Sequence, residues 1–177
     1  MPLRFFAPIT QGIIAAVLLV PPLLSAQSPD PYQLIAPSAR RPAPDFALTD
    51  LHGHPLSLAQ HRGHIILLDF WAVDCGGCKV EIPWYVQFDR TYRSQGLTLI
   101  GLDMYGETPQ KILPFLQQSH IDYPIAVGND AIGSRFGLTE MPLTLLIDRQ
   151  GRIAVAHAGI VDRARFESDI QELLAEH

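Results

Sequence analysis

Two cysteines, Cys75 and Cys78, are the only thiols in the chain, and two residues separate them in "ILLDFWAVDCGGCKVEIP". Cys75 follows an apolar run and stands where a helix is expected to begin. Backbone N–H groups and the helix dipole at such a position favour a thiolate, which makes the pair a reactive arrangement. A Cys75 thiolate could attack a substrate disulfide, and Cys78, one turn on, could resolve the mixed disulfide. A permanent structural bridge over so short a loop would remove little unfolded-state entropy. A zinc site needs four ligands, and His52, His54, His61 and His64 are the histidines that could join the thiols, although nothing in their spacing brings them to Cys75. "CGGC" is not followed by a histidine, so it is not a haem-attachment motif.

Several elements must hold this pair in place. "HIILLDFW" has the continuous apolar character of a strand buried on both faces. A helix is expected from about Cys78 to Ser94, with Ile82, Tyr85, Phe88 and Tyr92 on one side and Pro83 as a kink. Upstream, "FALTD" and "PLSL" flank "HGH" as a short hairpin. Downstream, "LTLIGLD" reads as a strand, and Thr108 with Pro109 opens a helix to about Ser119. "YPIAV" is a short strand, followed by a helix capped by Asp130 and stopped at Gly137. "PLTLLID" and "RIAVAHA" form strands around "RQG". Asp162 caps a last helix whose Phe166, Ile170, Leu173 and Leu174 share a face. This order predicts an α/β fold in which helices cover both faces of a mixed sheet.

The 177 residues are enough for one domain with a core. Met1 to Ala26 carries Arg4, an apolar run from Gly12 to Val20 and small residues before an expected cut after Ala26, the layout of an export signal. An uncleaved membrane anchor is the rival reading, since Phe5 to Leu24 approaches the ~20 residues of a minimal span. Export allows either a disulfide or a redox pair. Residues 27–44, rich in proline, read as a tether, with the domain occupying 45–177. Without residues 1–26 the chain carries 12 basic against 18 acidic side chains, which argues against nucleic acid as a partner.

"DFWAVDCGGCKVEIP" and "EMPLTLLID" resemble the active-site segment and the cis-proline segment of thioredoxins. The hairpin, the export segment and the insert "GETPQKILPFLQQSHIDYPIAV" are similar to the TlpA/ResA-like branch of that superfamily, over roughly Asp45 to His177. The resemblance implies a thioredoxin-like fold with a TlpA/ResA-type insert. It makes Cys75 the nucleophile and Cys78 the resolving thiol. It places a buried carboxylate at Asp69, a glutamate near the active site at Glu81, where an exposed first-turn acid favoured by the helix dipole is the rival reading, and a cis peptide bond at Pro142. Trp71, Asp74, Gly76, Gly77, Met141 and Pro142 would line the peptide groove.

Two positions depart from the pattern. Asp74 replaces a large residue just before Cys75, and its charge would oppose a thiolate and favour the disulfide form. Gly77 stands where a proline is common.

The expected activity is exported thiol-disulfide oxidoreduction without a cofactor. Its substrates would be proteins or peptides with cysteine pairs, possible partners in cytochrome c maturation, and a membrane-bound thiol donor would recharge it. Copper binding through Cys75 and Cys78 is the alternative from another class. A thiol peroxidase would need a hydroxyl at position 72, which is Ala72.

Overall fold

The computed structural model describes residues 32–176. The expected export segment lies outside them. In chain order the elements are β1 (Arg41–Pro42), β2 (Leu48–Thr49), β3 (Pro55–Leu56), β4 (Ile65–Trp71), α1 (Gly76–Tyr92), β5 (Leu97–Asp103), α2 (Pro109–Ser119), β6 (Ile125–Val127), α3 (Asp130–Phe136), β7 (Leu143–Ile147), β8 (Arg152–Ala158) and α4 (Arg163–Ala175). One six-stranded sheet runs β1-β8-β7-β4-β5-β6, and β2 and β3 form a separate hairpin. β4, β5 and β6 are parallel, whereas β7, β8 and β1 each join antiparallel. The architecture is the mixed α/β sheet expected from the order of elements and the thioredoxin-like fold that the resemblance implies.

β4 explains why the site is built where it is. All seven of its residues are buried, because both faces of the central strand are covered. Alternation along the strand sends Ile65, Leu67 and Trp71 into one core, with Tyr85 and Phe88 of α1, Ile112 and Leu116 of α2 and Phe166 and Ile170 of α4. Ile66, Leu68 and Phe70 enter the other, with Ile132 and Phe136 of α3, Phe46 ahead of β2 and Leu56 of β3. Asp69 therefore belongs by parity to the face carrying α1. The same count on β7 puts Thr144 and Leu146 on that face.

Local chemistry departs from the sequence expectation at four points. α1 starts at Gly76, two residues early, because Cys75 itself is the N-cap and accepts the Cys78 N–H. α3 is capped by Asn129, whose side chain accepts from Ile132 N at 3.0 Å, so Asp130 is the first helical residue. Thr108 makes no side-chain cap; its carbonyl receives the amides of Lys111 and Ile112 instead.

The fourth point is the proline-rich stretch, part of which packs on the domain. Arg41 and Pro42 pair with Ile153 and Arg152 at the sheet edge, where a proline costs no ladder hydrogen bond. Ile35 N donates to Ala154 O, and buried Arg40 binds Glu176 at 2.6 Å and Asp148 at 3.4 Å. A guanidinium taken out of water needs such paired carboxylates, so Arg40 fastens the segment to α4 and the β7–β8 turn.

Candidate active site

Cys75 and Cys78 are joined as a disulfide at the start of α1. The Cys78 N–H points at Cys75 Sγ, 3.1 Å away. This is the donor expected to stabilise a thiolate at Cys75 once the bond is opened. Cys75 is 8% exposed and Cys78 1%, so an incoming partner meets Cys75 first. Gly76 is exposed and Gly77 half-buried. A Cβ at Gly77 would stand 2.9 Å from Pro142 Cδ and 3.3 Å from Ile160 Cγ1, so the missing side chain lets the helix start approach both.

The Met141–Pro142 peptide bond is cis, and Pro142 leads directly into β7. Met141 is half-buried beside a cavity of about 450 Å³ that Met104, Tyr105, Leu138 and Glu140 help to line. Ile160, 55% exposed, stands beside the helix start at Gly77. No strand or helix pattern marked Ile160, because it lies in a loop, and an isolated exposed apolar residue is unremarkable in sequence. Trp71 is not a groove residue. It is 1% exposed and stacks on Phe115 with ring centroids 5.4 Å apart, so it belongs to the core between β4 and α2.

Asp69 and Glu81 are both buried on the α1 face. Burial, and then the nearby Glu81 carboxyl, push the Asp69 carboxyl well above its usual range, against a lowering contribution from Thr144. Burial raises Glu81 to about 7, against the Val161 N–H, which it accepts at 2.7 Å, and the Tyr85 hydroxyl. Glu81 is thus not the exposed first-turn acid that its position on the helix equally allowed. α1 packs that turn against the loop after β8. Thr144 and Tyr85 join this group, and both were overlooked in sequence. Their signals were present: Thr144 shares a strand face with Pro142, and Tyr85 is one helical turn from Glu81.

Asp74 is exposed but not alone. Lys111 Nζ donates to its carboxylate at 2.6 Å and also pairs with Glu107. The Lys111 hydrogen bond holds Asp74 below the usual carboxylate range. Glu107 in turn accepts the Val73 N–H at 2.7 Å, binding the loop before α2 to the nucleophile loop. The expected repulsion of the Cys75 thiolate is therefore offset by an ammonium from α2. Lys111→Met should slow attack by Cys75 at pH 7 about two- to fivefold, the range that exposed ion pairs reach. Alkylation kinetics of the reduced protein measure it, and the difference should vanish at 1 M salt, where the screening length is about 3 Å. An equal loss in Lys111→Met/Asp74→Asn would show that Asp74 is not the charge being screened.

The histidines considered for zinc lie in the hairpin and the loop after it. His54 pairs with Asp50, and His64 contacts Thr98 Oγ1 at 2.9 Å.

This arrangement can exchange thiols and disulfides: a disulfide at a helix start, a first cysteine slightly exposed and a second fully buried, buried carboxyls and a cis-proline edge. The chain is similar to thiol-disulfide oxidoreductase ResA of Geobacillus kaustophilus, with 28% identity over 132 residues, covering 74% of this chain and 75% of that protein. ResA of Bacillus thuringiensis is 29% identical over 133 residues, 74% of this chain and 76% of the relative. A thioredoxin-family thiol:disulfide interchange protein of Chlorobium tepidum superposes with a TM-score of 0.71 at 26% identity, covering 79% of this chain and all of the other. These likenesses agree with the site, and the chain is a thiol-disulfide oxidoreductase of thioredoxin-like fold. A sequence profile described as the AhpC/TSA family matches residues 39–156, two thirds of the chain, and the chain belongs to that family.

Proposed function

We propose that this chain is an exported reductase of disulfides in other proteins, recharged by a membrane-bound thiol donor. The observation that carries the reading is the pairing of a slightly exposed Cys75 with a fully buried Cys78 against buried carboxyls. Reduced Cys75 attacks a substrate disulfide, and one substrate sulfur leaves as a thiol. Cys78 then gives up its proton and attacks Cys75, so that the second substrate thiol leaves and the Cys75–Cys78 disulfide forms. Two electrons and two protons pass to the substrate. Asp69 and Glu81 serve as acid–base groups for the inner sulfur, and the Met141–Pro142 edge offers backbone to an extended substrate segment. Substrates of this kind include cysteine pairs awaiting haem attachment during cytochrome c maturation. Residues 1–26 supply the export signal or the anchor.

Equilibration in thiol buffers, read by alkylation of Cys75 and Cys78, tests the direction of electron flow. The expected potential lies well below about −200 mV, too reducing for an efficient oxidant of folding proteins. A value near about −120 mV would instead assign disulfide formation.

A further inference from the structure

Four buried polar side chains lie in series on the α1 side of the sheet, hydrogen-bonded from Tyr85 through Thr144 to Asp69, with Glu81 one helical turn before Tyr85. Asp69 on β4 stands directly opposite Thr144 on β7 in the sheet register. Thr144 Oγ1 donates to Asp69 Oδ1 at 3.5 Å, the long limit of a hydrogen bond. The same Oγ1 shares a 2.9 Å hydrogen bond with the Tyr85 hydroxyl. Tyr85 lies four residues after Glu81 on α1, on the same helix face. Glu81 Oε1 takes the Val161 N–H, whereas Oε2 is buried without a hydrogen bond of normal geometry and is influenced by the Tyr85 hydroxyl. All four side chains are buried, so water does not compete along the line.

Two hydroxyls with a carboxyl at each end have a particular property. With a proton on Glu81 Oε2 turned toward the Tyr85 hydroxyl, the donations would run from Glu81 to Tyr85, from Tyr85 to Thr144 and from Thr144 to the Asp69 carboxylate. Moving each hydrogen one step gives the reverse state, with Asp69 protonated and Glu81 ionised. Total charge is unchanged. Burial and mutual repulsion both disfavour two ionised carboxyls, so one proton shared between the ends is the favoured state near neutrality.

We infer that Tyr85 and Thr144 are positioning residues that join Asp69 and Glu81 into one acid–base unit sharing a single proton. The inference rests on the dithiol reaction proposed above. When Cys78 resolves a mixed disulfide, its S–H proton passes to the ionised end of the pair. Its electron pair forms the new bond to Cys75 Sγ, and the substrate sulfur leaves with the electrons of the broken bond. The pair then carries one extra proton, which it releases to the departing thiolate or to solvent. The line lets either carboxyl receive the proton with the same result. Other titratable groups face it without joining it. Tyr123, ahead of β6, is buried and senses Asp69 and Asp89, and the His157–Asp169 pair of β8 and α4 lies beyond Phe166, which packs on both Tyr85 and His157.

The test is a carbon-13 titration of the Asp and Glu carboxyls in the oxidised full-length chain, which needs neither substrate nor turnover. Asp69→Asn should change the Glu81 ionisation constant. In a Tyr85→Phe or Thr144→Val background that change should be about fivefold smaller, the factor corresponding to one hydrogen bond. Thr144→Ser, which keeps the hydroxyl, should restore it. An unchanged response in both hydroxyl-free backgrounds would overturn the inference, leaving the carboxyls coupled through space alone. Should Tyr85→Phe fail to fold, the Thr144→Val and Thr144→Ser comparison decides the matter. A wild-type chain that exchanges no disulfides would overturn the proposed reaction while leaving this coupling measurable.

Discussion

Cys78→Ser should halt the reaction half-way, leaving a mixed disulfide between Cys75 and a substrate cysteine at up to one per chain. The geometry assigns the two sulfurs different tasks. Cys75 caps α1 and receives the Cys78 N–H, whereas Cys78, 1% exposed, is sealed in the buried core. In the wild-type chain the resolving sulfur is already in place, and well-oriented intramolecular partners reach effective concentrations on the order of 10⁵ M or more. A free thiol at millimolar concentration is a poor substitute, so release should slow by several orders of magnitude. Intact-mass measurement after exposure to a disulfide-bonded peptide would show the adduct, removable by a strong reductant. Cys75→Ser should trap none, because Cys78 is out of reach. Capture by Cys75→Ser instead, or full turnover by Cys78→Ser, would invert or remove the assigned roles.

Glu81→Gln should remove a pH-dependent loss of stability of about 3 kcal/mol. The carboxyl is raised from 4.5 to about 7 by burial, and each pKa unit corresponds to about 1.4 kcal/mol. For an acid whose folded value is raised, the stability contribution is complete below the unfolded value. It is lost as the pH climbs from about 4.5 through about 7, because the unfolded chain ionises while the folded chain resists. Above that window the deficit is constant. Glutamine keeps an acceptor for the Val161 N–H and carries no charge. Denaturant midpoints of the oxidised proteins should therefore diverge across this window, with the variant more stable at pH 8. Asp69, raised first by burial, adds a loss of the same sign in both proteins, and the part of it that the Glu81 carboxyl causes disappears with the substitution. Parallel curves would show that Glu81 stays ionised in the folded chain. The same substitution should slow resolution of the mixed disulfide about 10²-fold at pH 7, the lower end of general acid–base contributions. The gain in stability and the loss in rate share one cause, a buried carboxyl that is costly to ionise.

Much of this protein is legible along the chain. The spacing of Cys75 and Cys78 after an apolar strand announces dithiol chemistry. The alternation of strand and helix signals predicts the mixed sheet, and the resemblance to thioredoxins singles out Asp69 as a buried carboxylate. These features are local: they depend on side-chain period, caps and turn residues, which neighbours in sequence set among themselves. The proline-rich stretch misled for the same reason. Its composition describes free chain, yet Arg40 finds Glu176, 136 residues away, and draws its neighbours onto the sheet edge.

What tertiary structure alone decided concerns distance. Lys111 reaches Asp74 across 37 residues and offsets a charge that sequence leaves bare. The loop after β8 closes over Glu81 from 80 residues away, turning a carboxylate that could have faced water into a buried acid. Tyr85 meets Thr144 across 59 residues through the register of β7 against β4 and the seating of α1 on the sheet. Electrostatic coupling and hydrogen bonding depend steeply on separation and on exclusion of water. Both are set by the packing of the whole core, which residue order along one segment does not contain.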